Sequence, residues 1–590
     1  MGLDTARSAL PIVFDRCAGW LHQAPADVGV LMLSPWGFEE LSMRRSWRML
    51  ADALARAGYP CLRFDYPGTG DSAGEPRDIA AVDTLTAAAV RAAEELRRLG
   101  GVRRLVVLGQ GLGAAVATLA ASQIEANGLA LLAPVSRGRE HLRELSVWGA
   151  MVAETLGFTP EPGSVAGFEF PQELTDSLRT LDLTQLARAP SAVLVVGRKS
   201  EVRLADHLRG LGAKVTEIAY EGYEAAVGNP TAARPPVATI EVVTAWVGDN
   251  FPTAPAPEAQ LPAPAVLAGD GFTEEHVQFG PGRRLFGVLC EPQGPRTGAT
   301  VLMLSAGGDP HAGWARSGVD QARALARAGV ASFRMDAADV GDSDGPLSAE
   351  PPRLYDGAHI DDAIMAVDLL ETRGFGPVLP LGRCSGAFVA FNAAVRDERL
   401  RDLVLVNQRR FVWDRDGKVE LASDQVDHYR RQAKDPKKLL ARVLKGEVNL
   451  VAVAVKLGRS GLAVVMGLLG GHGRKLDGAA KAAFQTLKQR NVRVTLLYSR
   501  DGDGHRDFAG YFGEDGRRLR RCADLELIYL DDADHGLTPR HAREALLSLV
   551  TERALWPPAA PGSVAAGDAS ARQEDLALRP GVGGGALPAH

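Results

Sequence analysis

Three residues in the second half of the chain have the types and the order of a nucleophile, an acid and a general base. Cys384 lies at the centre of the stretch LGRCSGAF, with Gly382 and Gly386 two residues to either side. Asp503 follows one late apolar segment of this half, and His535 follows the next. A cysteine attacks a carbonyl carbon as its thiolate, a histidine removes the proton, and an acid fixes the histidine tautomer. These residues predict acyl-enzyme chemistry at Cys384.

Two of these positions have a neighbouring alternative. Ser385 is also nucleophilic, but a turn centred on it would place Arg383 where the glycine-framed turn needs a small residue, which favours Cys384. Asp501 and Asp503 both follow the same apolar segment, and both are ordinary turn residues. Loop spacing favours Asp503, and Asp501 stays open as the acid.

Backbone N–H groups beside the nucleophile are expected to stabilise the oxyanion. One donor is the N–H of Ser385, at the start of the next helical segment. The other comes from Ala306 or Gly307, in the loop LSAGGDPHAG that follows an early apolar segment of this half. Three charged or titratable side chains are expected to line the pocket rather than to react: Asp309, His311 and Arg383.

The elements that must position these groups occur twice along the chain. Both halves run through an apolar strand, an amphipathic helix ending in ALARAG, a second apolar strand and a GDS turn. Val30 and Val301 are 271 positions apart, as are Asp71 and Asp342 of the two turns. A period this long indicates duplication of a whole domain, since solenoid repeats are far shorter.

The first half lacks the reactive residues. Its elbow, RLVVLGQGLGAAVA, keeps the framing glycines but has Gly111 at the position of Cys384. Its last apolar segment, EIAYEGYEAAVG, has no histidine where the second half has His535. The first half is therefore predicted to be catalytically silent and to serve as a scaffold, a dimer surface or a lid.

Strands alternate with helical segments in both halves, which predicts an α/β fold with two tandem, doubly wound and mainly parallel sheets. The predicted domains span residues 1–249 and 272–555, joined by a Pro/Ala-rich linker over 250–271. A helical insertion over 411–489 is expected to form a cap in the second domain. Residues 556–590 have the composition of a disordered tail.

Both halves resemble α/β-hydrolase domains, and the cysteine elbow resembles that of the dienelactone hydrolases. The stretches RFDYPGTGDSAG and LGRCSGAFVAFNAAV also resemble bacterial hydrolases associated with exopolysaccharide or exosortase gene sets. The resemblance implies a Cys-His-Asp triad in the second domain, but it is confined to the motif and does not carry over the substrate. Gly111 departs from the pattern and puts activity of the first domain in doubt.

The predicted cap combines a basic run, DHYRRQAKDPKKLLARVLKGE, with an apolar run, NLVAVAVKLGRSGLAVVMGLLGG. The basic run would suit an anionic ligand such as a phosphopantetheine carrier or coenzyme A, or it is simply a solvated helix face. Lys456 and Arg459 interrupt the apolar run, so no membrane span is expected, and an apolar cover over an acyl-sized pocket is favoured.

Composition narrows the remaining function classes. The chain has 590 residues and a formal net charge of −5, which argues against general nucleic-acid binding. Five cysteines without a CxxC pair argue against a disulfide framework or a structural zinc site and favour the cytoplasm. No metal cluster or nucleotide-binding loop is expected, and therefore no cofactor. The leading prediction is an ester or thioester hydrolase. An acyltransferase on the same triad and a non-catalytic scaffold are the alternatives, and the oligomeric state stays open.

Overall fold

The computed structural model describes two stretches of the chain, residues 9–412 and 471–555, with short internal gaps. The gaps fall at residues 157, 160, 199–200, 255–259, 261, 347, 352, 501 and 520–524. Asp501, most of the predicted cap (413–470), part of the predicted linker and the tail from 556 therefore lie outside the described residues.

The first half folds around an eight-stranded sheet in the order β1-β2-β4-β3-β5-β6-β9-β10. Its central strands are apolar and buried on both faces, as parallel strands covered by helices must be. Among the described strands of this sheet, the β1/β2 and β2/β4 pairs are antiparallel and the other pairs are parallel. The strands, with a small β7–β8 hairpin, are β1 (Ala9–Phe14), β2 (Cys17–His22), β3 (Val28–Leu33), β4 (Cys61–Phe64), β5 (Arg104–Gln110), β6 (Gly128–Leu132), β7 (Ser164–Val165), β8 (Phe168–Glu169), β9 (Ala192–Gly197) and β10 (Lys214–Ala219).

Helices cover this sheet. Buried residues recur every three to four positions along them, which gives each helix one apolar face that packs against the strands. In α2, for example, Ala88, Ala92 and Leu96 are fully buried, and the small alanines allow α3 to approach closely. The helices of this half are α1 (Phe38–Arg56), α2 (Val82–Gly100), α3 (Leu112–Ile124), α4 (Gly138–Leu156), α5 (Gln172–Thr180), α6 (Val202–Gly210), α7 (Tyr223–Val227) and α8 (Val237–Asn250).

The second half repeats this arrangement in a nine-stranded sheet, β11-β12-β13-β15-β14-β16-β17-β18-β19. The strands are β11 (Val266–Gly269), β12 (Phe272–Phe279), β13 (Leu285–Pro292), β14 (Thr300–Leu304), β15 (Ser332–Asp336), β16 (Val378–Arg383), β17 (Asp402–Val406), β18 (Arg493–Ser499) and β19 (Leu525–Leu530). The helices are α9 (Ser317–Arg327), α10 (Gly357–Thr372), α11 (Ser385–Arg396), α12 (Gly471–Gln489), α13 (Asp503–Phe512) and α14 (Arg540–Leu555). Beyond β11, the strand order matches that of the first sheet.

The prediction of two tandem, mainly parallel sheets is thus confirmed, while two details differ. β11 lies inside the predicted linker. α12 falls inside the predicted cap, yet it crosses from β17 to β18 and belongs to the helical layer. Its Phe484 is fully buried between Phe391 and Phe411. Among the described residues, no helix has both the length and the apolarity needed to cross a membrane.

Buried ion pairs join the two halves, and the aspartates of the two GDS turns provide the carboxylates. From the sequence, these segments are expected only to form turns. Asp71 of the first half accepts hydrogen bonds from His311 Nε2 at 2.7 Å and Arg334 Nη2 at 3.0 Å, both in the second half. Asp342 of the second half accepts in turn from Arg44 Nε at 2.8 Å. Both carboxylates are almost fully buried. Each turn therefore anchors the opposite domain.

The ion pairs between the domains occur at equivalent positions of the two repeats. Arg63 of β4 and Arg334 of β15 are 271 positions apart, and each guanidinium binds the turn aspartate of the other domain. Asp65 and Asp336, also 271 apart, each accept the backbone N–H of the turn aspartate in their own domain. The shared strand geometry therefore places the same contacts on both sides of the interface.

Replacing Asp71 or Asp342 by Asn is expected to destabilise the protein by about 3–5 kcal/mol, because each change removes a buried counter-charge from the cluster of charges between the domains. Calorimetric unfolding would measure the loss. Asp176→Asn, which removes an exposed ion pair with Arg179, is the matched control and should have no measurable effect. Equal midpoints for all three variants would contradict a supporting role of the turns.

His311 should make the stability depend on pH. The carboxylates of Asp336 and Asp71 raise its pKa from 6.5 to about 10, against the opposing effect of burial. Its stabilising contribution is complete below pH 6.5 and is lost as the pH rises toward 10. In urea unfolding, the stability difference between wild type and His311→Gln should therefore shrink between pH 6.5 and 10. A difference independent of pH would contradict a charged imidazole.

Candidate active site

Cys384 occupies the sharp turn between β16 and α11. Its backbone has φ 53° and ψ −112°, a strained conformation for a residue with a side chain. A Cβ atom on Gly382 would lie 2.4 Å from the carbonyl oxygen of Gly386, and one on Gly386 would lie 2.2 Å from that of Leu304. The framing glycines are therefore sterically required, as the sequence pattern predicts, and the turn presents Cys384 at the carboxyl end of the sheet.

The thiol of Cys384 is partly buried and is protonated near neutral pH. Burial raises its pKa, whereas the charge of Arg409, the backbone N–H of Ser385 and a hydrogen bond from the Tyr355 hydroxyl act to lower it. The negative charge of Asp309 adds to the increase. A base is therefore needed to generate the thiolate.

His535 lies in the loop after β19, and its ring is partly buried. Burial, with the nearby positive charge of Arg409, lowers its pKa to about 4, while the negative charge of Asp503 opposes this change. Its Nδ1 atom is buried and has no hydrogen-bond partner among the described residues. The imidazole is thus neutral near pH 7 and free to accept a proton.

Asp503 begins α13, directly after the end of β18. Its carboxylate accepts a hydrogen bond from Arg506, and its charge is close enough to raise the pKa of His535. The fold therefore brings the acid near the histidine. Within the described residues, no hydrogen bond joins His535 to Asp503 or to the thiol of Cys384. The triad thus stays a prediction, as does the choice between Asp503 and Asp501.

The expected oxyanion loop lies beside the elbow. The backbone N–H of Gly307 donates to Ser385 Oγ at 2.7 Å, and the carbonyl of Ala306 accepts from the N–H of Asp309 at 2.9 Å. A substrate oxygen would therefore have to displace the Ser385 hydroxyl from Gly307. Thr231 of the first domain touches this loop, since a Cβ atom on Gly307 would lie 2.7 Å from its Oγ1.

A cavity of about 430 Å³ adjoins the elbow, on the side of Ser385 and Gly307. Its apolar wall is formed by Leu304, Met335, Val340, Leu354 and Val389. Asp309 also lines it, and burial raises the pKa of this carboxyl to about 6 in spite of the opposing charge of Arg383. An apolar wall of this kind suits the hydrocarbon part of an acyl group.

Two residues expected at the pocket wall have other roles. His311 is 1% exposed, and both ring nitrogens bind carboxylates of the domain interface, so the prediction that it lines the pocket is wrong. Arg383 lies outside the lining of the cavity and donates to the carbonyl of Gly536 in the loop that carries His535. Its charge still reaches Asp309.

The sequence analysis missed two groups at the thiol, Tyr355 and Arg409. Tyr355 precedes α10, about 30 positions before the nucleophile, and Arg409 follows β17. Arg409 also donates to Asp507 at 2.7 Å. Neither residue lies in a motif. The only available signal was that both follow strands whose carboxyl ends face the same side of the sheet.

The corresponding place in the first domain is filled by a carboxylate. Gly111 has φ 56° and ψ −123°, close to the conformation of Cys384, so the elbow is retained. A Cβ atom there would lie 2.4 Å from Oε2 of Glu39. Glu39 accepts hydrogen bonds from Gln110 at 2.9 Å and from the Tyr223 hydroxyl at 3.2 Å. Tyr223 follows β10, in the loop that in the second domain carries the histidine.

Alkylation by iodoacetamide should report the raised pKa of the Cys384 thiol. Because burial raises its pKa, the pH midpoint for alkylation should be higher in the folded protein than in urea. Tyr355→Phe should raise the midpoint further by removing a hydrogen bond to the thiolate, whereas Tyr223→Phe should leave it unchanged. Mass spectrometry of the Cys384 peptide gives the rates. A folded midpoint at or below the unfolded one would contradict this account.

Comparison with known proteins gives one family match. Residues 37–221 match the family described as serine aminopeptidase, S33. This region contains the first elbow, where Gly111 stands at the nucleophile position. No curated protein matches the sequence. The resemblance to exopolysaccharide- or exosortase-associated hydrolases stays a prediction.

Several solved structures align with part of this chain. A dienelactone hydrolase from Anabaena variabilis has 17% identity and a TM-score of 0.31, covering 48% of this chain and 96% of its own. An esterase from Pyrococcus furiosus has 16% identity and a TM-score of 0.32, covering 48% and 92%. A proline iminopeptidase from Mycobacterium smegmatis has 16% identity and a TM-score of 0.29, covering 41% and 98%.

The strand order, with the parallel sheet extended by an antiparallel pair at one edge, is the same in both halves, and the family match falls on the first of them. The chain is an α/β-hydrolase-fold protein that contains the fold twice.

Proposed function

We propose that the second domain hydrolyses an ester or a thioester through an acyl-enzyme on Cys384, and that the first domain is catalytically silent. The observation that carries the proposal is the strained turn at Cys384. A residue with a side chain is held there at positive φ, between glycines that permit no Cβ, and the next residue, Ser385, lines a cavity with an apolar wall. Strain of this kind is maintained where it positions a reacting group.

The chemistry begins with proton transfer from the thiol to the imidazole of His535. The sulfur then attacks the substrate carbonyl carbon, and the carbonyl electron pair moves to the oxygen. When the tetrahedral intermediate collapses, the alcohol or thiol leaves with the proton from His535, and an acyl thioester remains on Cys384. Water, deprotonated by the same histidine, releases the acid and restores the thiol.

The oxyanion is stabilised by the backbone N–H groups of Ser385 and Gly307. Since Gly307 now donates to the Ser385 hydroxyl, that hydroxyl must rotate away when the substrate carbonyl enters. Asp503 supports the imidazolium form of His535 through its negative charge. Asp501 remains the alternative acid.

Positive charge around the thiol supports an acyl or leaving group of negative charge. Burial raises the pKa of Cys384, and the charge of Arg409 opposes this increase. Arg410 lies over the ring of Tyr355, with its guanidinium carbon 4.8 Å from the ring centroid. An anionic carrier of the acyl group, as the basic insertion suggests, would be compatible with this field. A reducing compartment such as the cytoplasm would keep the nucleophile as a thiol.

The first domain, within residues 1–249, acts in this proposal as a scaffold for the second. The elbow at Gly111 has no side chain, and Glu39 fills the adjoining space. Thr231 lies against the oxyanion loop at Gly307, so the first domain helps to hold the catalytic loop in place.

Hydrolysis of p-nitrophenyl esters and acyl thioesters by single variants tests the nucleophile. Cys384→Ala and His535→Ala should each lower kcat/KM by at least about a thousandfold, since each removes a group used in bond making. Ser385→Ala should change it by less than about tenfold, because only the backbone N–H of that residue takes part.

Mass spectrometry of the stalled reaction should show an acyl adduct on the peptide that contains Cys384. An adduct on Ser385, or loss of activity in Ser385→Ala alone, would identify Ser385 as the nucleophile instead of Cys384. Equal rates for wild type and Cys384→Ala, without an adduct, would leave the tandem fold as a binding scaffold.

A further inference from the structure

A second and larger cavity, of about 800 Å³, lies between the two domains. Its wall in the first domain includes Ser34, Trp36, Tyr66 and Thr69. Each of these residues precedes by 271 positions a residue that lines the cavity beside Cys384, namely Ser305, Gly307, Ala337 and Val340. This interdomain cleft is therefore the first domain's counterpart of the proposed substrate cavity, retained where the nucleophile is missing.

The interdomain cleft has aromatic walls, unlike the aliphatic cavity beside Cys384. Trp36, Tyr66 and Phe168 line it, and the rings of Trp36 and Phe168 lie 6.1 Å apart. Trp314 of the second domain supports Phe168 at 5.7 Å and donates to the carbonyl of Ala166 at 2.8 Å. Flat aromatic surfaces fixed in this way favour stacking of a planar ligand.

Two buried polar atoms of the cleft, the Tyr66 hydroxyl and Arg543 Nε, have no hydrogen-bond partner among the described residues. Tyr66 is 3% exposed, and its hydroxyl has no hydrogen-bond partner among the described residues. Nε of Arg543, on the opposite domain, is likewise buried and unpaired within that part of the chain. Buried donors without partners are unfavourable, so a ligand oxygen that accepts from them would be bound selectively.

Most ionic groups of the cleft are already paired, and the charge of Arg543, whose Nε has no hydrogen-bond partner among the described residues, is balanced in part by the nearby carboxylate of Asp320. Glu40 and Asp65 both bind Arg44 at 2.9 Å. Asp320 lies 3.7 Å from Arg316, whose guanidinium also donates to three backbone carbonyls of the first GDS turn. A charged ligand would have to disrupt these contacts or lose its hydration without a new counter-charge. A neutral ligand avoids both effects.

We propose that the interdomain cleft is a binding site for an uncharged aromatic molecule with a hydrogen-bond-accepting oxygen. The aromatic body packs against the rings of Trp36 and Phe168, which are tilted toward each other, and the oxygen accepts from Tyr66 or Arg543. Because the ligand touches both domains, its binding stabilises their association. The site is separate from Cys384 and does not depend on the activity proposed there.

Calorimetric titration with three probes of one shape tests the site: 2-acetonaphthone, which is neutral, 2-naphthoate and 2-naphthylmethylammonium. The ketone should bind best. Phe168→Ala should weaken its binding by about tenfold by removing a stacking wall. Tyr66→Phe, which keeps the ring, should weaken it by about three- to tenfold. Tyr59→Phe, whose hydroxyl donates to the carbonyl of Phe251, is the matched control and should bind as wild type does.

Cys384→Ala should bind the ketone as wild type does, which separates this site from the cavity beside the elbow. Unfolding midpoints of all variants without probe show that they are folded, and the ketone should raise the midpoint of wild type. Three results would overturn the proposal. The first is that Phe168→Ala and Tyr66→Phe bind the ketone as tightly as wild type does. The second is that a charged probe binds as tightly as the ketone or more tightly. The third is that the ketone does not bind at about 1 mM.

Discussion

The structure depends on a set of buried charges between the two domains. The carboxylates of Asp71 and Asp342 each accept a hydrogen bond from an arginine of the other domain. The imidazole of His311 lies between the carboxylates of Asp71 and Asp336. Buried charges of this kind are unfavourable unless every partner is present, so the two domains are stable only in one mutual position. That position sets where the oxyanion loop and the interdomain cleft lie.

The two elbows show how one backbone can keep its geometry while its chemistry changes. Gly111 and Cys384 have nearly the same φ and ψ, and their framing glycines make equally close contacts with the neighbouring strand. Those contacts are between backbone atoms, so they do not depend on the side chain at the centre. The first elbow could lose its nucleophile without loss of the fold, and Glu39 fills the space beside it.

The environment of Cys384 combines opposing effects. Burial favours the neutral thiol, whereas Tyr355 and Arg409 favour the thiolate. Arg409 also lowers the pKa of His535, so the imidazole is uncharged. Thiol and imidazole are therefore both neutral in the resting protein. In the proposed reaction, the proton moves from the thiol to the imidazole only when a substrate carbonyl is present. Such a resting state would protect the sulfur from oxidation and alkylation.

The sequence by itself determined the duplication, the order of strands and helices, the elbow at Cys384 and its empty counterpart at Gly111. These features can be predicted from short stretches of sequence, because glycine spacing and apolar periodicity involve residues only a few positions apart. Only the tertiary structure decided that His311 belongs to the interface and that Tyr355 and Arg409 reach the thiol. Those contacts join residues far apart in the chain, so they depend on how strand ends converge and how two sheets pack, which no local pattern encodes.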